Sequence, residues 1–559
     1  MLIGIDVGGT TTDAVLTEGR TVVAEATVPT SSHDLTGSVL GALDGVMRRA
    51  QPQEVERIVL STTVITNLLA ENKAERVGLV LLPGPGANPS DYALPPAHIV
   101  QGAIDFRGRE IASLDETELR AAGVALQAEG FSKVAVVGKF CQRNPVHERT
   151  VKAILEEAHP DMTVECGHLV SGRLNFPRRA ATTVLTLATR DRYRDFAADM
   201  SRVLEERGLR APVFVLKADG GTLPLDYSLC RPVETIFSGP AASTMGALAL
   251  APAGESFIVV DVGGTTTDLA LVLDGQPLLS SKGSRIKHLL THVRAFAVKS
   301  VPVGGDSAVR AIDGSLTVGP DRMGPPACLG GPAPTPTDAL RALGATGLGD
   351  EGAAHEAMAE VAEALGLTAA EASSRVVESV VSIIAREVEI MFVHWRDEPV
   401  YRIWEVVQQQ HARPTLLVGV GGGAPLLAPA VASLLGVRCL IPEHAAVANA
   451  LGAALSRPTL SLTLSMDTSQ GRWITEEDGK AGRLDDPRLS LAGAEQMALR
   501  MLLARAEEAG IGHYGGQALV THSEVFNMVR GNSTIGRLLD VTVEIPAGIL
   551  SEWSAAHDS

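Results

Sequence analysis

The octapeptide DVGGTTTD occupies residues 6–13 and recurs, letter for letter, at residues 261–268. A structural turn does not require such fidelity, because many different sequences form a tight turn. A loop that binds the same chemical group twice does require it. We therefore interpret the repeat as two copies of a ligand-binding loop; the alternative is a pair of ordinary hairpin turns that remain from an old duplication.

Both copies have the same sequence context. The short apolar runs at residues 2–5 and 257–260 lead into them, which is typical of buried strands. Further apolar runs follow each copy, and Asp274-Gly275 is a strong hairpin signal. The pattern predicts strand, glycine turn, strand and a third strand. A Rossmann loop or a Walker A loop would instead open a helix, and neither motif is present.

The composition favours a small-molecule ligand. The chain has 559 residues, of which 45% are hydrophobic and 20% charged, as expected of a globular protein with more than one domain. Its 48 basic and 65 acidic residues give a net charge of −17. Such an acidic balance repels nucleic acid and anionic membrane surfaces. We expect neither as a partner.

The cysteines and the apolar segments predict a cytoplasmic protein. The five cysteines are scattered without a C-x-x-C pair, so we expect buried free thiols rather than a zinc or iron–sulfur site. Asp6 interrupts the first apolar stretch, which argues against a signal peptide. Polar and charged residues also break the most apolar predicted helix, at residues 376–393, so no membrane span is expected.

Alternating helix-like and strand-like stretches follow each octapeptide and predict two α/β halves. We divide the chain into residues 1–190 with the first loop, residues 191–456 with the second loop, and a small C-terminal domain at residues 457–559. In that last domain the pattern predicts a helix at 492–509 and a strand at 538–545.

The chemistry of the repeat suits the phosphates of ATP. Adjacent glycines let backbone N–H groups approach phosphate oxygens, and the threonines add hydroxyl donors. Asp6 and Asp261 end their strands, where their carboxylates would hold Mg²⁺ or its waters and act in catalysis. The predicted phosphate-binding residues are Gly8, Gly9, Thr10 and Thr11 in the first copy and Gly263, Gly264, Thr265 and Thr266 in the second.

A third glycine loop and a small-residue helix extend this interpretation. Gly421, Gly422 and Gly423 follow an apolar strand and would leave room for adenosine, although a plain strand–helix turn is an equal alternative. Residues 445–454, which include Asn449, predict a closely packed helix, and we assign Asn449 to the nucleotide-binding set. In this order the elements resemble the actin–Hsp70–sugar kinase ATPase superfamily. The resemblance implies duplicated actin/Hsp70-like (ribonuclease H-like) α/β domains around a nucleotide cleft, with a small C-terminal α+β extension.

Further motifs resemble the hydantoinase/oxoprolinase A family. Residues 61–67 are similar to its S-T-T-x-x-T-N segment, and residues 231–242 to its R-P-V-x-T-I-x-S-G-P-A-A segment. The remaining matches are N-P-x-H-E-R at residues 144–149, G-x-L-x-V-G-P at 314–320, P-A-C at 326–328 and P-T-D-A at 336–339.

This resemblance implies an ATP-dependent A-type subunit. Such a subunit phosphorylates the carbonyl oxygen of a cyclic amide, imide or related compound, which activates it for hydrolysis or carboxylation. A B-type partner subunit then completes the reaction; a homo-oligomer is the alternative assembly. Two other functions stay open: an ATPase that reactivates a partner enzyme, and a small-molecule kinase.

Several polar residues allow more than one interpretation. Asp306 replaces a glycine of the family pattern and is either a base or substrate contact or, as we favour, the cap of a following helix. For His147 and Glu148 we favour a solvated helix start over substrate contact. Lys139 and Arg143 would either neutralise phosphate or form an exposed ion-paired face. His288 and His292 have i, i+4 spacing, and we regard a metal site there as the lesser alternative.

Overall fold

The computed structural model describes residues 1–31, 34–280, 283–312, 314–396, 413–486, 488–531 and 533–554. The strands up to residue 224 are β1 (Leu2–Val7), β2 (Thr11–Glu18), β3 (Thr21–Pro29), β4 (Arg57–Thr62), β5 (Gly78–Leu82), β6 (His98–Ile99), β7 (Ala103–Ile104), β8 (Glu110–Ala112), β9 (Lys133–Gly138), β10 (Thr163–Cys166), β11 (Val213–Leu216) and β12 (Thr222–Pro224). The helices up to residue 228 are α1 (Leu35–Met47), α2 (Val64–Ala70), α3 (Glu116–Ala128), α4 (Val146–Ala158), α5 (Gly167–Val170), α6 (Phe176–Glu206) and α7 (Leu225–Ser228).

The first sheet is built around the strand that ends in the first octapeptide. Its order is β12-β11-β4-β1-β2-β3, with β1 antiparallel to β2 and parallel to β4. Helices α1 and α6 cover one face, where Ile3, Ile5, Leu43 and Met200 are buried together. A second sheet, of order β10-β9-β5-β6, is attached to this half and is parallel throughout.

The second half repeats the first. Its strands are β13 (Phe257–Val262), β14 (Thr267–Leu273), β15 (Gln276–Pro277), β16 (Arg285–Ile286), β17 (Leu289–Leu290), β18 (Lys299–Val301), β19 (Val309–Ile312), β20 (Ser315–Val318), β21 (Leu416–Val420) and β22 (Arg438–Leu440). Its helices are α8 (Ser238–Leu250), α9 (Pro336–Ala342), α10 (Glu351–Leu365), α11 (Ala369–Arg396), α12 (Ala424–Leu435) and α13 (Ala448–Leu455).

The main sheet of this half has the order β15-β14-β13-β21-β22, with β18 also paired to β14. Again the central strand, β13, is antiparallel to the strand after the octapeptide and parallel to a strand much later in the chain. The same connectivity therefore appears twice, which confirms the predicted duplicated α/β fold. The β14–β15 hairpin turns at Asp274 and Gly275, both with positive φ, as the Asp-Gly signal predicts.

Helix α13 packs between the two halves. A Cβ placed on Gly4 of β1 would lie 2.0 Å from the carbonyl oxygen of Ala450, and one on Gly246 of α8 would lie 2.0 Å from that of Ala448. Such distances leave no room for any side chain. The predicted close packing of the small-residue helix is confirmed, and its reason is that α13 touches a strand of one half and a helix of the other.

The C-terminal part is an antiparallel sheet with one long helix. Its elements are β23 (Leu460–Asp467), β24 (Arg472–Thr475), β25 (Ala481–Arg483), α14 (Leu491–Glu508), β26 (Leu519–Arg530), β27 (Ser533–Ile545) and α15 (Ser551–Ser554). The sheet order is β25-β24-β23-β27-β26, and α14 packs its alanines and Leu502 against buried residues of β23 and β27. The predicted helix and the predicted strand are both present, and four further strands accompany them.

The predicted division of the chain stays a prediction, but two contacts bear on it. Helix α6 runs through residue 190, and β11, which follows α6, pairs with β4 in the first sheet. These contacts favour a later first boundary, because the first sheet is complete only at Pro224. Across the described ranges, every helix is too short or too polar to cross a membrane.

Candidate functional site

The two octapeptides form the same turn at the ends of the two central strands. In the first, the Gly8 N–H donates to the Thr11 carbonyl oxygen at 2.9 Å; in the second, the Gly263 N–H donates to Thr266 at 3.0 Å. The strands on either side pair in the same register, with Asp6 opposite Asp13 and Asp261 opposite Asp268. The sequence identity therefore corresponds to an identity of backbone geometry.

The two turns meet in one cleft. The hydroxyl oxygens of Thr10 and Thr265 lie 3.4 Å apart. Behind them, the Asn449 side chain at the start of α13 donates through Nδ2 to Asp6 Oδ2 at 3.4 Å and to Asp261 Oδ2 at 3.2 Å. The structure thus brings the two aspartates predicted to be catalytic to a single amide nitrogen, and it places Asn449 with them.

The triple-glycine loop lies against the second of these aspartates. Gly421 has a φ of 85°, and a Cβ there would lie 2.2 Å from Asp261 Oδ1. Its N–H donates to the carbonyl of Ala445, and the Gly423 N–H donates to Val262 at the end of β13. Gly422 has open space around it. Gly421 and Gly423 therefore lie against the end of β13, beside the second octapeptide.

Two further carboxylates belong to the cleft, and the sequence interpretation did not single them out. Asp13 and Asp268 are the last letters of the octapeptides and stand across the strand pairs from Asp6 and Asp261. Their recurrence in the repeat was the signal that could have identified them. Asp13 is held by the hydroxyls of Thr27 and Thr11, at 2.6 and 3.3 Å.

Burial raises the pKa of all four carboxyl groups, and the charges of neighbouring carboxylates raise the pKa of Asp6, Asp13 and Asp268 further. Burial raises the pKa of Asp6 to about 7, and the charges of Asp13 and Asp261 add to this effect. The pKa of Asp268 is also raised to about 7, by desolvation and by the charge of Asp261. Desolvation raises the pKa of Asp13 to about 6 and raises that of Asp261 as well. A positive charge placed near these buried carboxyl groups would stabilise their ionised form.

The donor set suits a hard divalent cation beside phosphates. Within the described residues, Asp6 Oδ1, Asp268 Oδ1 and the Asn449 carbonyl oxygen are buried without a hydrogen-bond partner. Buried oxygens of this kind normally have a partner, and oxygen ligands are those that Mg²⁺ prefers. Gly9, exposed and with nothing within 4 Å of a Cβ placed on it, leaves its backbone accessible to an anion.

Asp306 does not cap a helix, so that interpretation is wrong. The chain after it enters strand β19, and Asp306 instead lies under the second octapeptide. Its N–H donates to the Gly264 carbonyl at 2.6 Å, and its Oδ2 accepts from the Arg322 guanidinium at 3.0 and 3.2 Å. The departure from the family pattern thus introduces an ion pair that is in contact with the backbone of the second octapeptide.

His147 and Glu148 do lie at the start of a helix, α4, as predicted, but the prediction that this helix start is solvated is wrong. Glu148 is fully buried and accepts from the N–H groups of Gly138 and His168 and from His168 Nδ1, at 2.6–2.8 Å. His147 is buried as well and contacts Glu110 at 3.1 Å. A single sequence shows amphipathic spacing but not which tertiary partner covers the polar face.

The structure also places the other polar residues that the sequence left open, and the two interpretations of Lys139 and Arg143 stay open. His288 and His292 do not share a helix, because the chain there forms the β16–β17 hairpin, and His292 Nδ1 pairs with the Ser171 hydroxyl at 2.8 Å. Lys139 donates to the carbonyl of Pro85. Three of the five cysteines are buried as predicted, whereas Cys230 and Cys439 are exposed.

Sequence comparisons match most of the chain to one family. A model of the hydantoinase/oxoprolinase N-terminal region matches residues 2–159, and the hydantoinase/oxoprolinase model matches residues 179–461. The alpha subunit of caprolactamase from Pseudomonas jessenii is 28% identical over 81% of this chain and 70% of its own. The acetophenone carboxylase gamma subunit of Aromatoleum aromaticum is 28% identical over 76% of this chain and 65% of its own.

Solved structures agree on the fold. The nucleotide-free acetone carboxylase structure has a TM-score of 0.69 at 20% identity and covers 100% of this chain and 83% of its own. The ATP-dependent caprolactamase of Pseudomonas jessenii has a TM-score of 0.69 at 23% identity, with 97% and 87% covered. The family itself is shown by the two models, which match more than half of the length, so the chain belongs to the hydantoinase/oxoprolinase family.

Proposed function

We propose that this protein is an ATP-dependent A-type subunit that phosphorylates the carbonyl oxygen of a cyclic amide, imide or related compound. An amide is a poor electrophile, and bound ATP would supply the phosphoryl group that turns its oxygen into a leaving group. The family membership supports this reaction class, as do relatives described as a caprolactamase subunit and an acetophenone carboxylase subunit. Release of the activated compound to hydrolysis or carboxylation would follow.

One observation supports the proposal most directly: Asn449 Nδ2 contacts an aspartate of each octapeptide. A duplication that had kept its two turns for structural reasons alone would not need them to converge on one side chain. Convergence is what a single triphosphate requires, since its charge must be neutralised from two sides.

The roles of the chain's own residues follow from their placement. Asp6 and Asp261 would hold Mg²⁺ or its waters, with Asn449 fixing the orientation of their Oδ2 atoms. The N–H groups and hydroxyls of the two turns would donate to phosphate oxygens, and the triple-glycine loop would border the adenosine. Catalysis would then consist mostly of alignment and charge neutralisation.

The partner is proposed from the relatives. The two relatives named above are described as subunits, one alpha and one gamma, which implies enzymes of more than one chain. We therefore propose a B-type partner subunit that completes the reaction on the activated compound.

The proposal is tested by ATP turnover with and without cyclic amides. Phosphate release should be stimulated by at least one compound in a panel of lactams, hydantoins and ketones, and Asp261→Asn should abolish it. Circular dichroism should show that this variant is folded. Magnesium-dependent ATP turnover that no compound in the panel alters would favour the reactivating ATPase instead, and a stable phosphorylated product would favour the kinase.

A further inference from the structure

A second cavity lies away from the octapeptide cleft, between the ATPase-like halves and the C-terminal sheet. Its volume is about 350 Å³, which is within the usual range for small-molecule sites. One wall comes from α8 and the turn after β11, and the opposite wall from residues 457–461 and 544–549. No residue of the octapeptides or of the triple-glycine loop lines it.

The walls combine apolar surface with charge. The apolar side chains are those of Met245, Leu248, Leu279, Phe296, Ile549 and Trp553. The charged groups are three cations and two carboxylates. Lys217 pairs with Asp219 at 3.0 Å, and Arg294 pairs with Glu544 at 2.6 Å. Within each pair the positive and the negative charge cancel.

Arg457 is the third cation, and its partners are neutral. Its guanidinium donates to the carbonyl oxygens of Pro546 and Ala547 and to Gln517 Oε1, at 2.7–3.1 Å. A guanidinium has five N–H donors, and contacts with described residues use three of them. The cavity therefore has one uncompensated positive charge with donor capacity to spare.

Thr459 belongs to the same wall as Arg457. It is 5% exposed and lines the cavity, and its Oγ1 has no hydrogen-bond partner among the described residues. A buried hydroxyl without a partner is unfavourable by about 1–3 kcal/mol, so such groups normally have one. This oxygen lies against Gly221, where an added Cβ would be 1.9 Å from it, and it has no surface open to the cavity. Thr459 therefore contributes to the packing of the wall and not to the binding of a ligand.

We propose that this cavity binds a small monoanion, a carboxylate on an apolar ring or chain. The surplus of one positive charge selects a single negative charge, the unused N–H groups of Arg457 provide donors for its oxygens, and the apolar walls accommodate the ring. Because its two walls belong to different parts of the fold, such a ligand would join the ATPase-like halves to the C-terminal sheet.

The test compares two probes of nearly equal shape, cyclohexanecarboxylate and cyclohexanecarboxamide, by isothermal titration calorimetry. We expect the carboxylate to bind at least tenfold more tightly than the amide, with or without saturating Mg-ADP. Equal binding of both probes, no heat from either at millimolar concentration, or displacement of the carboxylate by the nucleotide would overturn the proposal.

Variants locate the binding. Arg457→Gln should abolish the preference for the carboxylate, whereas Thr459→Val, which removes a hydroxyl that does not face the cavity, should leave this preference unchanged. Since Arg457 also holds the 546–548 segment, Leu279→Trp, which fills the cavity, is the second variant; it should abolish probe binding and leave Mg-ADP binding intact. Leu434→Trp is its control, because Leu434 is 59% exposed and outside the cavity. Unchanged binding in Leu279→Trp would overturn the assignment.

Discussion

Asp6 is 3% exposed, yet its carboxyl group must ionise if it is to hold a metal ion. Burial raises its pKa from 3.8 to about 7, so in the protein without metal the acid is largely protonated below neutral pH. Asp268 has the same shift and the same cause. The cleft is thus strained electrostatically in a way that a divalent cation would relieve.

This strain predicts how stability depends on pH. Between pH 3.8 and 7 the folded protein binds more protons at Asp6 than the unfolded chain does, so its contribution falls as pH rises through this window. Without Mg²⁺, wild type should lose on the order of 3 kcal/mol of its free energy of unfolding between pH 4 and pH 8 through Asp6, and Asp6→Asn should not show this loss. Chemical unfolding of both proteins at several pH values, in EDTA, measures this difference.

Asp44→Asn is the control for that experiment. Asp44 is exposed, and its hydrogen bond from Arg207 lowers its pKa, so its contribution has the opposite sign and should not reproduce the effect. Equal pH dependence of wild type and Asp6→Asn would contradict the assignment of a raised pKa to Asp6.

Asn449 should matter for turnover more than for folding. Asn449→Ala removes the donor shared by Asp6 and Asp261, and we expect ATP turnover to fall at least tenfold with little change in the melting temperature. Asn144→Ala is the matched control, because its amide donates to the Gly108 carbonyl outside the cleft. A similar loss of turnover in both variants would show that the effect is not specific to the cleft.

At the residue scale, the sequence allowed the site residues that belong to the repeat to be predicted. Asp6 and Asp261 could be predicted to lie together because their surroundings are identical. Asp306 and Glu148 could not be assigned, because their partners, Arg322 and His168, come from other elements and their burial is a tertiary property. Local patterns such as helix caps are also shared by many polar residues in loops.

At the element scale, the glycines divide into two kinds that a pair of variants can separate. Gly4→Ala would place a Cβ 2.0 Å from the Ala450 carbonyl, and backbone atoms cannot easily move away. We expect it to destabilise the fold by about 2 kcal/mol or more, since overpacking typically costs 1–3 kcal/mol. Thermal and chemical unfolding measure this loss.

Gly9→Ala is the counterpart, because nothing lies within 4 Å of a Cβ placed there. Its stability should match that of wild type, whereas its affinity for Mg-ATP should fall several-fold if this backbone approaches phosphate. A destabilised Gly9→Ala or a fully stable Gly4→Ala would reverse these roles.

Strands with continuous apolar runs, such as β1, β13 and β21, could be predicted from the sequence because both of their faces are buried. Most of the C-terminal sheet could not. Strand β26 has polar and apolar residues on both faces and is largely exposed, so its sequence lacks the alternation of apolar and polar residues that distinguishes a strand from a loop. Its position is set by pairing with β27, which is a non-local interaction.

At the scale of the whole molecule, one nucleotide should stabilise both halves together. A ligand that binds only the folded state stabilises it by about 2.7 kcal/mol at a concentration of 100 times its Kd. Mg-ATP should therefore raise the melting temperature of the whole cooperative transition. AMP, which lacks the outer phosphates that would join Thr10 and Thr265, should have a much smaller effect; equal shifts for both would contradict the two-sided phosphate site.

The placement of α13 decides how this chain can be cut or rearranged. Helix α13 comes long after the loop at 252–255 in the chain. The residues that it packs against, Gly4 and Gly246, come before that loop. A fragment ending there would have an open groove in place of Ala448 and Ala450. The two pieces should accordingly be insoluble when expressed alone and regain structure only when co-expressed, because neither contains both α13 and the residues that α13 packs against.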